Sequence, residues 1–148
     1  MCGFAGIFDP HSIFNSEEIV QYSIDMASEL IHRGPDDKGT WCEEMISISH
    51  RRLSIQDLSK AGSQPMRSKC DRYVICFNGE IYNHHEIRNE INKAQKIKFS
   101  GHSDTESLLE AISYWGLENT LEKVNGMFAF SLWDKKLKLL HLVRDRFC

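Results

Sequence analysis

An α+β layered sandwich, rather than a doubly wound parallel sheet, is the fold class this sequence predicts. Three observations carry it: the order strands, helices, strands; a hairpin of two apolar runs near the end; and helix patterns whose apolar faces can cover a sheet. The 148 residues, with 18 Lys+Arg, 21 Asp+Glu and 41% hydrophobic residues, have the balance of one globular domain. A chain of this size buries roughly 68–70% of the surface its unfolded form exposes, so neither metal nor disulfides are needed for folding.

Residues 1–8 are short, apolar and Gly-containing, which suits a buried strand. A helix pattern starts at Asn15, which caps with Glu18 three residues on and sets Ile19, Tyr22, Met26 and Leu30 on one face; it should stop near His32, before Gly34-Pro35. Residues 45–50 alternate, with Ile46 and Ile48 on one face, and residues 73–77 are a compact aromatic and β-branched run; both read as strands, the second broken by Asn78-Gly79. Two further capping boxes open helices: Asn83 with Glu86 ahead of Ile87 and Ile91, and Ser103 with Glu106 ahead of Leu108, Leu109 and Ile112. Residues 127–133 and 137–143 are apolar runs split by Asp134-Lys135-Lys136, a hairpin of two buried strands. Apolar strand residues run almost to Cys148, which suggests a domain without its closing element.

Several function classes are excluded. The net charge of -3 comes with scattered basic residues, not the massed Lys and Arg of a nucleic-acid binder. No apolar run approaches the ~20 residues that span a bilayer, and the first eight residues lack the pattern of a secretory signal, so a cytoplasmic protein is expected. Five cysteines, at positions 2, 42, 70, 76 and 148, form no Cys-x-x-Cys pair and read as reduced thiols. The adjacent His84 and His85 should point apart on a helix, and no ligand spacing appears among the histidines, so no metal is assigned.

Four features can carry chemistry. Removal of Met1 would leave Cys2 with a thiol of pKa about 8.5 beside an α-amine of pKa about 7.7–8.0, a nucleophile and a base within one residue. For an isolated Met-Cys the plainer reading is a small buried residue starting a strand. Asn78-Gly79-Glu80, between a strand and a helix, can aim the Asn amide and the Gly N–H from a tight turn at one point; one such oxyanion donor is worth about 2.7–4 kcal/mol in acyl transfer. The competing reading is a hairpin turn. Arg52 offers a planar fork for a carboxylate, against a plain surface Arg, and Asp104 an anion for an ammonium group, against an ordinary first-turn acid.

Six motifs in order, MCGFAGIFD, HRGPDDKG, HRRLSIQDLS, FNGEIYNH, GHSDTES and GMFAFSLWD followed by VRDR, span nearly the whole chain. Together they resemble the glutaminase domain of glutamine-hydrolysing asparagine synthetases, class II glutamine amidotransferases with the N-terminal nucleophile hydrolase fold. Pro35-Asp36 favours that branch over relatives with Tyr or Gln in place of Pro35. The resemblance implies a four-layer αββα sandwich, here one glutaminase domain over residues 1–148, C-terminally truncated, because family members continue past Arg-Asp-Arg with a glycine and a Lys-Pro-Leu-Tyr string.

By the same resemblance, Cys2 is the nucleophile on the glutamine side-chain amide, with its own α-amine moving the proton. The Asn78 side chain and the Gly79 N–H hold the oxyanion, Arg52 takes the α-carboxylate, Asp104 and Glu80 take the α-ammonium, and the Ile55 backbone lines the pocket. A γ-glutamyl thioester forms with release of ammonia and is hydrolysed to glutamate, without a cofactor. ATP and magnesium belong to a synthetase domain or subunit outside this chain, which would be the partner, and a homodimer is also implied. Two other readings stay open at this point: an inactive fragment that binds glutamine or a partner, and an ammonia donor to another acceptor such as a sugar acid.

Overall fold

The computed structural model describes residues 2–146, so Met1, Phe147 and Cys148, and with them the expectations about Met1 removal and the Cys148 thiol, lie outside the described residues. Two antiparallel sheets form from seven strands, β1 (Gly3–Phe8), β2 (Asp37–Glu43), β3 (Ile46–Arg52), β4 (Met66–Arg67), β5 (Tyr73–Ile81), β6 (Gly126–Asp134) and β7 (Leu139–Arg144). Four helices accompany them among the described residues: α1 (Ser16–Ser28), α2 (His84–Ala94), α3 (Asp104–Trp115) and α4 (Leu117–Lys123). The first sheet has the order β1-β3-β2 and the second β4-β5-β6-β7. The architecture is α+β, with antiparallel pairing throughout.

The alternation of β3 explains the stacking. Ile46 and Ile48 point to one side and pack with Val74, Cys76 and Trp133 of the second sheet, joined by half-buried Phe4 and Trp41. Ser47 and Ser49 point to the other side, toward α1, where both hydroxyls reach the buried Ser23 Oγ at 2.7 and 3.0 Å. The outer face of the second sheet is covered by a larger cluster, in which Ile75, Phe77, Phe130 and Leu132 meet Ile87 and Ile91 of α2 and Leu108, Leu109 and Ile112 of α3. Burial of these aliphatic and aromatic groups drives the assembly, at roughly 25 cal/mol per Å² removed from water.

Several expectations are corrected. The inward face of α1 is Ile19, Ser23 and Ala27, whereas Tyr22 and Met26 are exposed. Where α1 faces the serines of β3 the contact is made by the small Ser23, whose hydroxyl meets those of Ser47 and Ser49. It ends at Ser28, followed by turns over residues 29–33, short of His32. The Asn15–Glu18 capping box forms in both directions, but the one expected at Asn83 does not. The Asn83 side chain instead accepts from Asn125 N–H and donates to the Lys123 carbonyl, tying α2 to the entry of β6. Ser103 caps α3 by accepting from Glu106 N–H, while the Glu106 carboxylate turns to Ser100 and Gly101 N–H.

The rings of His84 and His85 do not diverge: their centroids are 4.0 Å apart, since His84 is the first helical residue and the backbone is only entering the helix there. The last strand begins at Leu139, two residues after the expected start, because Asp134 Oδ1 captures Lys136 and Leu137 N–H in the turn. Strand β2, expected as a loop in its first residues, and the short β4 and α4 carry no alternation or periodicity long enough to read. Cys2, Cys42, Cys70 and Cys76 are free thiols. No helix among the described residues is long and apolar enough to cross a membrane.

Ile46 is fully buried between the sheets. Ile46→Ala is expected to cost about 2–5 kcal/mol, read as a lowered urea midpoint with an unchanged slope.

Candidate active site

The most informative correction concerns Asn78-Gly79. The pair does not end its strand: β5 continues to Ile81, with Asn78, Gly79 and Glu80 opposite Ala129, Phe128 and Met127 of β6. On the other edge β4 pairs with only Ile75 and Val74, so beyond that point the β5 edge has no strand neighbour among the described residues. Side chains take over. Phe77 N–H donates to Gln64 Oε1 at 2.6 Å, and Ile81 N–H to Asp104 Oδ2 at 2.9 Å. In an antiparallel strand alternate residues direct N–H to the same edge, so the Gly79 N–H lies between these two and faces away from β6. Only glycine fits there, because a Cβ would meet the Met127 carbonyl oxygen and come within 2.6 Å of Phe128 Cα.

That open edge forms the wall of a cavity of about 150 Å³ lined by Cys2, Arg52, Ile55, Asn78, Gly79, Glu80 and Asp104, with Leu53, Asp57, Gln64 and Thr105 among its other walls. Every residue singled out from the sequence is therefore at one cleft. Cys2, just ahead of β1, has its Sγ against the Leu53 backbone, accepting from N–H at 3.4 Å and donating to the carbonyl at 3.7 Å. Its own carbonyl accepts from Arg33 Nε at 3.1 Å. Cys2 and Asn78 also line a second cavity of about 230 Å³ with Gly3, Phe4, Leu30 and Arg33. Asn78 Oδ1 is buried with no hydrogen-bond partner among the described residues, so the amide is not locked by the protein around it.

Arg52, the last residue of β3, is buried rather than a surface side chain. Its Nη1 donates to the Ser59 carbonyl at 3.0 Å and lies 3.9 Å from Asp37, and its Nη2 donates to the Asp57 carbonyl. These bonds fix the plane of the guanidinium and leave further N–H donors for a ligand. Asp104 opens α3 and is also buried, accepting from Ile81 and Thr105 N–H. Burial raises its pKa, the nearby Glu80 charge adds to the rise, and the two N–H donors oppose it. A carboxylate desolvated in this way is improved by a cationic ligand. Glu80 is exposed, 3.4 Å from Gln56 Nε2, and Ile55 is 73% exposed at the rim. Among the described residues no three His, Cys, Asp or Glu side chains gather in a way that could hold a metal ion.

Two supporting residues were missed from the sequence. Gln64 caps the β5 edge through its carbonyl oxygen and approaches Thr105 Oγ1 at 3.5 Å. His50 donates from Nε2 to the Phe77 carbonyl at 3.2 Å, holding β3 to β5 one residue before Asn78. Neither left a signal, since a lone Gln or His shows its partner only after folding.

With this geometry established, comparison with known proteins places the chain. A family model described as a glutamine amidotransferase domain matches residues 1–148. The chain belongs to the glutamine amidotransferase domain family. Asparagine synthetase [glutamine-hydrolyzing] 1 of Bacillus subtilis is 39% identical over 147 residues, 99% of this chain and 23% of the relative. Asparagine synthetase B [glutamine-hydrolyzing] of Escherichia coli is 34% identical over 145 residues, covering 98% of this chain and 25% of the relative. Amidase chry2 of Gibberella zeae is 34% identical over 132 residues, covering 88% and 19%. The chain thus spans about a quarter of the synthetases it matches, and the resemblance to their glutaminase domain stands.

The site also titrates. Burial first, and the Arg52 charge with it, lowers the His50 pKa to about 4 from an ordinary 6.5, against the raising effect of the Phe77 carbonyl. Below pH 6.5 the unfolded chain takes a proton that the folded chain refuses, so stability present above 6.5 is lost as pH falls toward about 4. His50 accounts for ~3 kcal/mol of that loss, since each tenfold weakening of proton affinity is worth about 1.4 kcal/mol. His50→Gln should flatten this acid limb in urea titrations run between pH 7 and pH 4.

Proposed function

We propose that this domain hydrolyses glutamine to glutamate and ammonia with Cys2 as nucleophile, and that the ammonia feeds an ATP-dependent synthetase making asparagine. The observation that carries the reading is the single cavity in which a thiol, an unlocked amide, an open backbone N–H, an arginine and a desolvated aspartate meet. The family supports it, and so does the fit between site and substrate: an α-amino acid needs one cationic and one anionic partner, which Arg52 and Asp104 supply.

In this reading Met1 is removed and the Cys2 α-amine accepts the thiol proton as Sγ attacks the side-chain amide carbon. The Asn78 side-chain N–H and the Gly79 N–H stabilise the oxygen as it becomes an oxyanion. Its collapse breaks the C–N bond, and the α-ammonium returns the proton to the departing ammonia. Water then adds to the thioester, the C–S bond breaks, and glutamate leaves the regenerated thiol. No cofactor takes part in this half-reaction; ATP and magnesium act at the synthetase. The stacking of α1, the two sheets and the α2–α3 pair supports the four-layer αββα sandwich of N-terminal nucleophile hydrolases. A cytoplasmic location and a homodimer complete the proposal.

The acceptor admits a second reading, because one relative is named an amidase and not an asparagine synthetase. Ammonia from the same cavity would then serve another acceptor, and which one is set outside this domain.

Cys2→Ala is expected to abolish glutamine hydrolysis in an ammonia-release assay without unfolding the protein; hydrolysis at the original rate overturns the nucleophile assignment. In the unsubstituted protein an electrophilic glutamine analogue should give one adduct, mapped to Cys2 by peptide mass and prevented by excess glutamine. Asn78→Ala should lower kcat about 10²- to 10³-fold with little change in KM, the signature of a donor that acts on the transition state.

A further inference from the structure

The two groups that would hold the ends of the substrate stand on separate segments. Arg52 ends β3 and Asp104 begins α3, and nothing in the chain order couples them. One residue between them in space touches both segments. The Asp57 carbonyl accepts from Arg52 Nη2, and its carboxylate Oδ2 accepts from His102 N–H at 2.8 Å, two residues before Asp104. The other carboxylate oxygen, Oδ1, accepts from Ser59 N–H at 2.8 Å and Ser59 Oγ at 2.6 Å, and the Ser59 carbonyl in turn receives Arg52 Nη1. Asp57 is buried, and a Cβ on Gly101 would run into its Oδ2, so the loop before α3 is built around this carboxylate.

Resting on the glutaminase reading, we propose that Asp57 is a positioning residue that sets the spacing between the carboxylate-binding Arg52 and the ammonium-binding Asp104. It makes the site selective for ligands carrying both charged groups. Both carboxylate oxygens of Asp57 are engaged by the protein, so it acts through its neighbours rather than on substrate. The bond from Ser59, with those from His102 and the Arg52 charge, holds its pKa at about 2 against desolvation, so the bridge is ionised at any working pH. Arg88 stiffens the same loop from behind, donating to the Gly101 carbonyl at 2.7 Å and the Ser103 carbonyl at 2.8 Å. That clamp leaves the Asp57 bond as the link that faces the cavity.

A bridge of this kind affects recognition of the two ends of the substrate and not the chemistry at its amide. Asp57→Asn replaces one acceptor oxygen by a donor, so it cannot satisfy both Ser59 and His102 N–H. Gly101→Ala displaces the same carboxylate from the other side. The test compares glutamine with glutaramate, which lacks the α-amine, and 4-aminobutanamide, which lacks the α-carboxylate, by kcat/KM on the purified protein. In each variant KM for glutamine should rise about tenfold, the effect of one lost buried hydrogen bond, with kcat nearly unchanged, and the preference for glutamine over both analogues should shrink.

Preference ratios that stay as in the unsubstituted protein, whether kcat and Tm fall or hold, overturn the proposal, since a purely structural residue would lower all three substrates alike. Should Asp57→Asn fail to fold, Gly101→Ala decides by itself. Failure of the glutaminase reading looks different: the unsubstituted protein releases no ammonia from glutamine. In that event calorimetric binding of the same three compounds, with the same expected and contrary ratios, decides for or against the bridge.

Discussion

Strand β5 is treated differently on its two edges, and the site depends on that difference. Along β6 it is paired for its whole length, which fixes its position in the sheet. Along the other edge the two-residue β4 stops early, and a buried backbone edge without a strand neighbour must find other partners, since each unsatisfied buried polar group costs about 1–3 kcal/mol. Gln64 takes Phe77 N–H, His50 supplies the Phe77 carbonyl, and Asp104 takes Ile81 N–H. These bonds leave the Gly79 N–H directed at a cavity instead of a strand. A longer β4, paired as far as Ile81, would satisfy this edge completely and remove the site.

The surroundings follow from the same constraint. Because Asp104 closes the β5 edge, the N-terminus of α3 is brought to the cavity and its carboxylate is desolvated, which prepares it for a cation. Because His50 bridges to Phe77, β3 is registered against β5, and two residues further on Arg52 reaches the same cleft. The N-terminal strand pairs along β3 from Gly3 to Phe8, which delivers Cys2 to the Leu53 backbone. Three segments distant in sequence thus converge through backbone bonds made by buried polar side chains. The cost of burying those side chains is met only when all the partners are in place.

Stacking of the layers rests on a different arrangement. Both faces of β3 are covered here: Ile46 and Ile48 serve the space between the sheets, and Ser47 and Ser49 serve the contact with α1. Small hydroxyls satisfied by Ser23 let the helix approach closely. The sequence pattern places Ile46 and Ile48 on one face and assigns α1 an apolar face of Ile19, Tyr22, Met26 and Leu30, of which the structure buries Ile19, half-buries Leu30 and leaves Tyr22 and Met26 exposed. The hydrophobic pattern describes what a helix can bury; the surface it packs against decides what it does bury.

The sequence alone determined the α+β class, eight of the main elements, the Asn15 cap and the residues now found around one cavity, because periodicity, capping and turn chemistry are local and six ordered motifs are specific. It misread Asn78-Gly79 as a break, since that dipeptide is a turn in most settings, and it missed β2 and β4, which pair with the strands that directly follow them but carry no apolar alternation long enough to read. Tertiary structure decided the rest: that Gly79 sits inside a strand with its N–H free of β6, that Arg52 is buried against residues 57–59, and that Gln64, His50 and Asp57 brace the site through their hydrogen bonds to its backbone. A polar side chain has no function in isolation. Its role is defined by which orphan backbone group it reaches, and that is fixed only when the sheets close.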